Sequence, residues 1–129
     1  MADSERRQRG VEMMKKVYAG DVVTPPAGVM AFTDLMLEQV FAEMWTREEE
    51  LSIRDRRLVL LGIIGALGEK DTFQIQVKAA LKNGELTVEQ VREVLITLAN
   101  YAGYPRAAGL IGPTEGTIAA VEKEKAEKG

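Results

Sequence analysis

Twenty acidic and seventeen basic side chains, three tyrosines and no histidine or cysteine define the chemistry open to this 129-residue chain. Without a thiol, thiolate nucleophilicity and disulfide exchange are barred. Without imidazole, the side chain that ordinarily titrates near neutral pH is missing, so proton transfer falls to a perturbed Glu, Asp, Lys or Tyr. Zinc sites built from Cys and His are excluded, and no metal site is expected. The residues that stand out are Arg54, Arg56 and Arg57, clustered in the first turn of a predicted helix. The helix macrodipole disfavours cations there by about 0.3–1 kcal/mol each, so something anionic should compensate. Two readings are open. The arginines pair locally with Asp55 and the run Glu48-Glu49-Glu50, or they form an anion site in which guanidinium and helix N–H groups together take a carboxylate. A second group, Thr97, Asn100, Tyr101 and Tyr104, falls at spacings of three and four on one predicted flank. It either lines a pocket, with Tyr101 as a hydrogen-bond donor, or packs with its polar atoms bonded to backbone or water.

The elements that must position these residues read as helices almost throughout. Ser4 is a plausible N-cap for a helix to Tyr18 with the stripe Val11, Met14, Val17 and Tyr18. Gly20-Asp21 and Pro25-Pro26 break it. A second helix, Val29 to Met44, carries Phe32, Leu35, Met36, Val40, Phe41 and Met44 on one side. The third, Ile53 to Leu67, is apolar all round after its first turn, so other elements should enclose it at the centre of the bundle. Gly62 and Gly65 cost this helix about 1 kcal/mol each relative to Ala, which points to close backbone approach by a neighbour. A fourth helix, Asp71 to Lys82, stops at Asn83-Gly84. Thr87 and Gln90 form a capping-box pattern opening a fifth, with the stripe Val91, Val94, Leu95, Leu98 and Ala102. A sixth follows Pro105, is expected to kink at Gly112-Pro113, and gives way over residues 120–129 to a solvated tail. The methionines mostly lie on apolar stripes and read as core.

Composition bounds the rest. A chain of this length, 46% hydrophobic, buries roughly two-thirds of its unfolded surface, enough for one domain over residues 1–129. A net charge of −3 argues against a nucleic-acid partner. The start, Met1-Ala-Asp-Ser-Glu-Arg-Arg, lacks the apolar region of a secretory signal. The longest apolar run, Leu58 to Leu67, is about half a bilayer span, so no membrane partner is expected and the cytoplasm is the simplest location.

The stretch Ala80-Leu81-Lys82-Asn83-Gly84, Thr87, Glu93-Val94-Leu95 and Tyr101-Ala102-Gly103-Tyr104-Pro105 resembles the carboxymuconolactone decarboxylase family of alkylhydroperoxidase-like proteins. Further likeness lies in Arg9-Gly10 through Gly20-Asp21, in Phe41-Ala-Glu-Met-Trp45, and in Arg54, Arg56, Leu58 and Ala66-Leu67-Gly68. The connector after Gly20 looks several residues shorter than the family's, in a region that often builds the pocket mouth. The resemblance implies an all-α orthogonal bundle of about six helices, assembled as a trimer or hexamer. It also implies cofactor-free carbon–carbon lyase chemistry, typically decarboxylation of a small acidic lactone in aromatic catabolism.

Where peroxidase relatives carry a histidine and two cysteines, this chain places Gln76, Thr72 and Glu69. Glutamine keeps a pocket polar but cannot titrate. The family position that is often His or Gln facing the same pocket is Thr97. The expected ligand is therefore a small anionic molecule, bound by Arg54, Arg56, Gln76 and Thr97, with Glu69 and Tyr101 as candidate proton carriers. A catalytically silent homologue acting as a ligand-binding or structural oligomer is the alternative. Thiol peroxidase activity is chemically barred.

Overall fold

The computed structural model describes residues 3–128, and among them every regular element is a helix. In order these are α1 (Glu5–Val17), α2 (Ala31–Met36), a π-helical segment (Leu37–Met44) that continues α2, α3 (Ile53–Leu67), α4 (Lys70–Lys82), α5 (Val88–Ala102) and α6 (Tyr104–Lys128). This is the all-α architecture expected, with six helices if α2 and its π-helical continuation count as one. The chain divides into two compact units, residues 1–53 and 54–129.

In the first unit, the Ser4 side chain accepts from the Arg7 backbone N–H and caps α1 as expected. The second helix departs from the sequence reading. Its buried face is Thr33, Asp34, Leu37, Phe41 and Ala42, while Phe32 and Leu35 are exposed. Two physical causes account for this. From Leu37 onward the backbone bonds i to i+5, as in Trp45 N–H to Val40 C=O at 3.0 Å, and this wider turn shifts the phase of a 3.6-residue period. Asp34 is also drawn inside by Arg7, whose Nε donates to its Oδ1 at 2.7 Å. Both side chains are buried.

The same pair fastens the connector between the helices. Arg7 Nη2 donates to the Pro25 carbonyl at 2.8 Å, and the Gly28 N–H donates to Asp34 Oδ2 at 3.0 Å. Gly10 lets α1 lie directly on the π-helical segment, since a Cβ there would overlap the Leu37 carbonyl group. Tyr18 meets the Phe41 ring edge-on at 5.5 Å, and Phe41 stacks on the buried Trp45 at 6.4 Å.

In the second unit, Leu61, Phe73, Val77, Val91, Leu98 and Leu110 form the centre of the core. The capping box of Thr87 and Gln90 is present at the start of α5. Asn83 ends α4, and Gly84 adopts φ +70° so that the Glu85 N–H can return to the Ala80 carbonyl at 2.9 Å.

Two expectations for this unit need correction. Within one chain α3 is not enclosed: Arg57, Leu61 and Gly65 are buried, but Val59, Ile63 and Leu67 are 55%, 52% and 64% exposed. Only Gly65 is pressed by neighbours, the side chains of Leu98 and Phe73, whereas a Cβ on Gly62 would meet nothing within 4 Å. The C-terminal region is helix to Lys128, and most side chains of its last two turns are exposed. Its helical assignment runs unbroken through Pro113, Val121 is buried in the core, and Glu124 pairs with Lys78 and Lys82.

Arg7 holds the Asp34 carboxyl below the ordinary carboxylate range, with the Gly28 N–H adding to the effect. A depressed folded-state value means that the stabilisation is complete at neutral pH. It is lost as pH falls from about 4 through the lower folded-state value. Wild-type protein should therefore lose melting temperature steeply below about pH 4. Asp34→Asn should melt lower than wild type at pH 7 and show a flatter acid limb in the same circular-dichroism series. Parallel acid limbs would show that the pair does not govern acid stability.

Candidate functional site

The second unit holds a groove between α3 and α5 with a volume of about 570 Å³. The two helices run side by side in the same direction. Arg54 at the start of α3 donates from Nε to the Glu85 carbonyl just before α5, at 3.1 Å, and Gly65 near the end of α3 lies against Leu98. Leu58, Gly62 and Ala66 line one wall at intervals of four residues. Val94, Thr97 and Tyr101 line the other. Arg54 and Gln90 line the groove near the two helix N-termini, Glu93 one turn further along α5, and Tyr101 and Ala102 near the helix C-termini.

Arg54 is partly exposed and also pairs with Asp55 at 3.1 Å. These bonds use Nε and Nη1 and leave Nη2 for a ligand. Thr97 spends its hydroxyl proton on the Glu93 carbonyl at 2.9 Å, so toward a ligand it can only accept. Asn100 likewise donates to the Ile96 carbonyl. Tyr101 is 92% exposed at the rim. Tyr104 lies beyond the break at Gly103, in α6, and lines a separate recess between α5 and α6. The single flank read from spacing is thus split by the turn.

Gln76 lies elsewhere. It is buried, and its Oε1 accepts from Arg57 Nη1 at 2.6 Å. Arg57 is itself fully buried and forks onto Glu85, Nε to Oε1 at 3.0 Å and Nη2 to Oε2 at 3.1 Å. Asn83 adds a third donor to Glu85 at 3.2 Å. This cluster joins α3, α4 and the turn after α4, and its geometry is that of a bidentate structural ion pair. The three arginines therefore behave differently. Arg54 lines the groove, Arg57 is locked to Glu85, and the half-buried Arg56 lies outside the groove lining. Glu48, in the acidic run before α3, meets Lys16 at 3.1 Å. Glu69, the residue before α4, and Thr72 are exposed and do not line the groove.

Two residues that matter here were not singled out from sequence, Glu85 and Glu93. Glu85 sits just past the left-handed glycine that ends α4, and that adjacency is the available signal. Glu93 shares a helix face with Gln90, Thr97 and Tyr101 at spacings of three, four and eight residues. Among the described residues no three His, Cys, Asp or Glu side chains gather as a metal site. No helix among the described residues is long and apolar enough to cross a membrane.

Comparison with known proteins identifies the family. Residues 30–115 match the model of the carboxymuconolactone decarboxylase family. The chain is 26% identical over 110 residues to a 4-carboxymuconolactone decarboxylase from Acinetobacter baylyi, covering 81% of each chain. No solved structure matches.

Truncating one partner of a buried ion pair costs about 3–5 kcal/mol, because the other charge is left behind without compensation. Arg57→Met is expected to lose stability on that scale in urea unfolding. Arg57→Met combined with Glu85→Leu should recover most of the loss. A single variant as stable as wild type would show that the cluster is not structural.

Proposed function

The chain belongs to the carboxymuconolactone decarboxylase family, and from that premise we propose that the α3–α5 groove binds a small acidic lactone or related carboxylate and that Arg54 is its anion partner. The observation that carries this reading is the single accessible guanidinium at the polar end of an otherwise apolar groove. An apolar cleft with a few placed polar groups is the usual form of a small-molecule site. The expected reaction is cofactor-free carbon–carbon lysis. The bond to the carboxylate breaks, carbon dioxide leaves, and the electron pair passes to the lactone carbonyl oxygen. A proton then returns to carbon. Arg54 assists only in so far as it favours the oxygen that gains charge over the carboxylate that departs. Glu93 and Tyr101 are the groove-lining groups able to give or take the proton.

A second reading, binding without turnover, is favoured by the Arg57–Gln76 bond, which commits the polar side chain at the family's histidine position to structure. The two readings share their first test. A small acidic lactone at ten times Kd should stabilise the protein by about 1.4 kcal/mol, visible as a thermal shift. Arg54→Gln should abolish that shift and keep the melting curve of the free protein. No shift in wild type, or an equal shift in the variant, overturns both readings. Release of carbon dioxide above a no-protein control then separates lysis from binding.

Self-association belongs to the same proposal. Val59, Ile63 and Leu67 form an exposed stripe at intervals of four residues on α3, and covering it with further copies of the chain would remove this apolar surface from water. A trimer or hexamer is the expected assembly. Light scattering at micromolar concentration should return a multiple of 14.2 kDa. A clean monomer would defeat this part of the proposal.

A further inference from the structure

The charge distribution along the groove narrows the ligand class. Among the described residues Arg54 is the one cation that lines it. Its Nε is engaged by the Glu85 carbonyl and its Nη1 by Asp55, each at 3.1 Å, so Nη2 remains for a ligand. Glu93 lines the groove one turn further along α5 than Gln90. A second negative charge on the ligand would find no cation there and would face the Glu93 carboxylate. From Arg54 to Ala66 the α3 wall spans twelve residues, roughly 18 Å at the rise of an α-helix. Beyond the polar end that wall presents only Leu58, Gly62 and Ala66. The facing polar group in the middle, Thr97, has its proton committed to the Glu93 carbonyl and offers no donor to an anion. Tyr101 stands at the rim of the far end with an exposed ring that an apolar ligand body would partly cover.

From this layout we propose that the groove selects an elongated monocarboxylate, with its single negative charge at Arg54 and an apolar or aromatic body running toward Tyr101, and that Glu93 rejects ligands carrying a second carboxylate. The proposal rests on the reading of the groove as a carboxylate site and sharpens it. One end supplies a charge-assisted hydrogen bond, the length supplies apolar contact, and specificity comes from a repulsive element placed beside the attractive one.

The probes are 4-phenylbutyrate, with one carboxylate and an aromatic body, and adipate, with two carboxylates and no ring. Each is titrated into the 129-residue protein by isothermal calorimetry. Wild type should bind 4-phenylbutyrate more tightly than adipate by about tenfold or more, equivalent to about 1.4 kcal/mol. Glu93→Gln should narrow that gap by improving adipate, because the substitution removes the repulsion and keeps the shape. Arg54→Gln should weaken both. If adipate binds wild type as tightly as 4-phenylbutyrate, the monocarboxylate proposal is overturned while the groove remains a carboxylate site. If Glu93→Gln leaves the ratio unchanged, the selective role of Glu93 is overturned. If neither probe binds, or if Arg54→Gln binds both as wild type does, the carboxylate reading of the groove fails and the selectivity proposal goes with it.

Discussion

A guanidinium with no exposed surface sets the terms for the second unit. Arg57 can be buried only if its charge and its donors are answered, and the answer comes from two places far apart in sequence, Gln76 on α4 and Glu85 in the turn after it. The ion pair thereby fixes how α3 meets α4 and where the chain must turn. Gly84 supplies the left-handed residue that returns the chain toward α3. Glu85 then serves twice. Its carboxylate holds Arg57, and its backbone carbonyl takes Arg54. The residue that lines the groove and the residue that anchors the core are thus three positions apart on one helix and tied to the same glutamate. Buried ion pairs of this kind contribute little net stability over apolar packing of equal volume, but they penalise any arrangement that separates the partners.

Local signals carried most of the fold. Ser4, the Thr87–Gln90 box and Asn83-Gly84 act through hydrogen bonds within a few residues of themselves, so their roles could be read from neighbouring letters. What escaped was decided by partners distant in the chain. Asp34 enters the first unit's core because Arg7, 27 residues earlier, receives it there. Arg57 pairs with Glu85, 28 residues later, although the Glu48-Glu49-Glu50 run is nearer in sequence. The phase slip at Leu37 had another origin: hydrophobic spacing was read with an α-helical period where the backbone is π-helical. For the candidate site, spacing identified Arg54, Thr97 and Tyr101, which do share a groove. Family correspondence pointed to Gln76, which the structure shows committed to Arg57.

The first unit follows the same logic with a different closing element. Its polar core joins α1, the connector and α2 through Arg7 and Asp34, and its apolar side depends on an absence, the missing side chain at Gly10. A carbonyl belongs to the backbone and cannot rotate away as a leucine tip can. Close approach of helix to helix at that point is therefore a rigid constraint, with little room for the adjustment that flexible side chains usually provide.

The two glycines of α3 have unequal freedom to change. Gly65 is hemmed in by Leu98 and Phe73, so added volume there must displace the core. Gly62, one turn earlier, faces open space in the groove and could accept a methyl or a larger group without disturbing anything behind it. Divergence at that single codon would alter the depth of the cleft while leaving folding untouched. Related chains could in this way exchange one ligand size for another by drift at one position, and a designer could follow the same route on purpose.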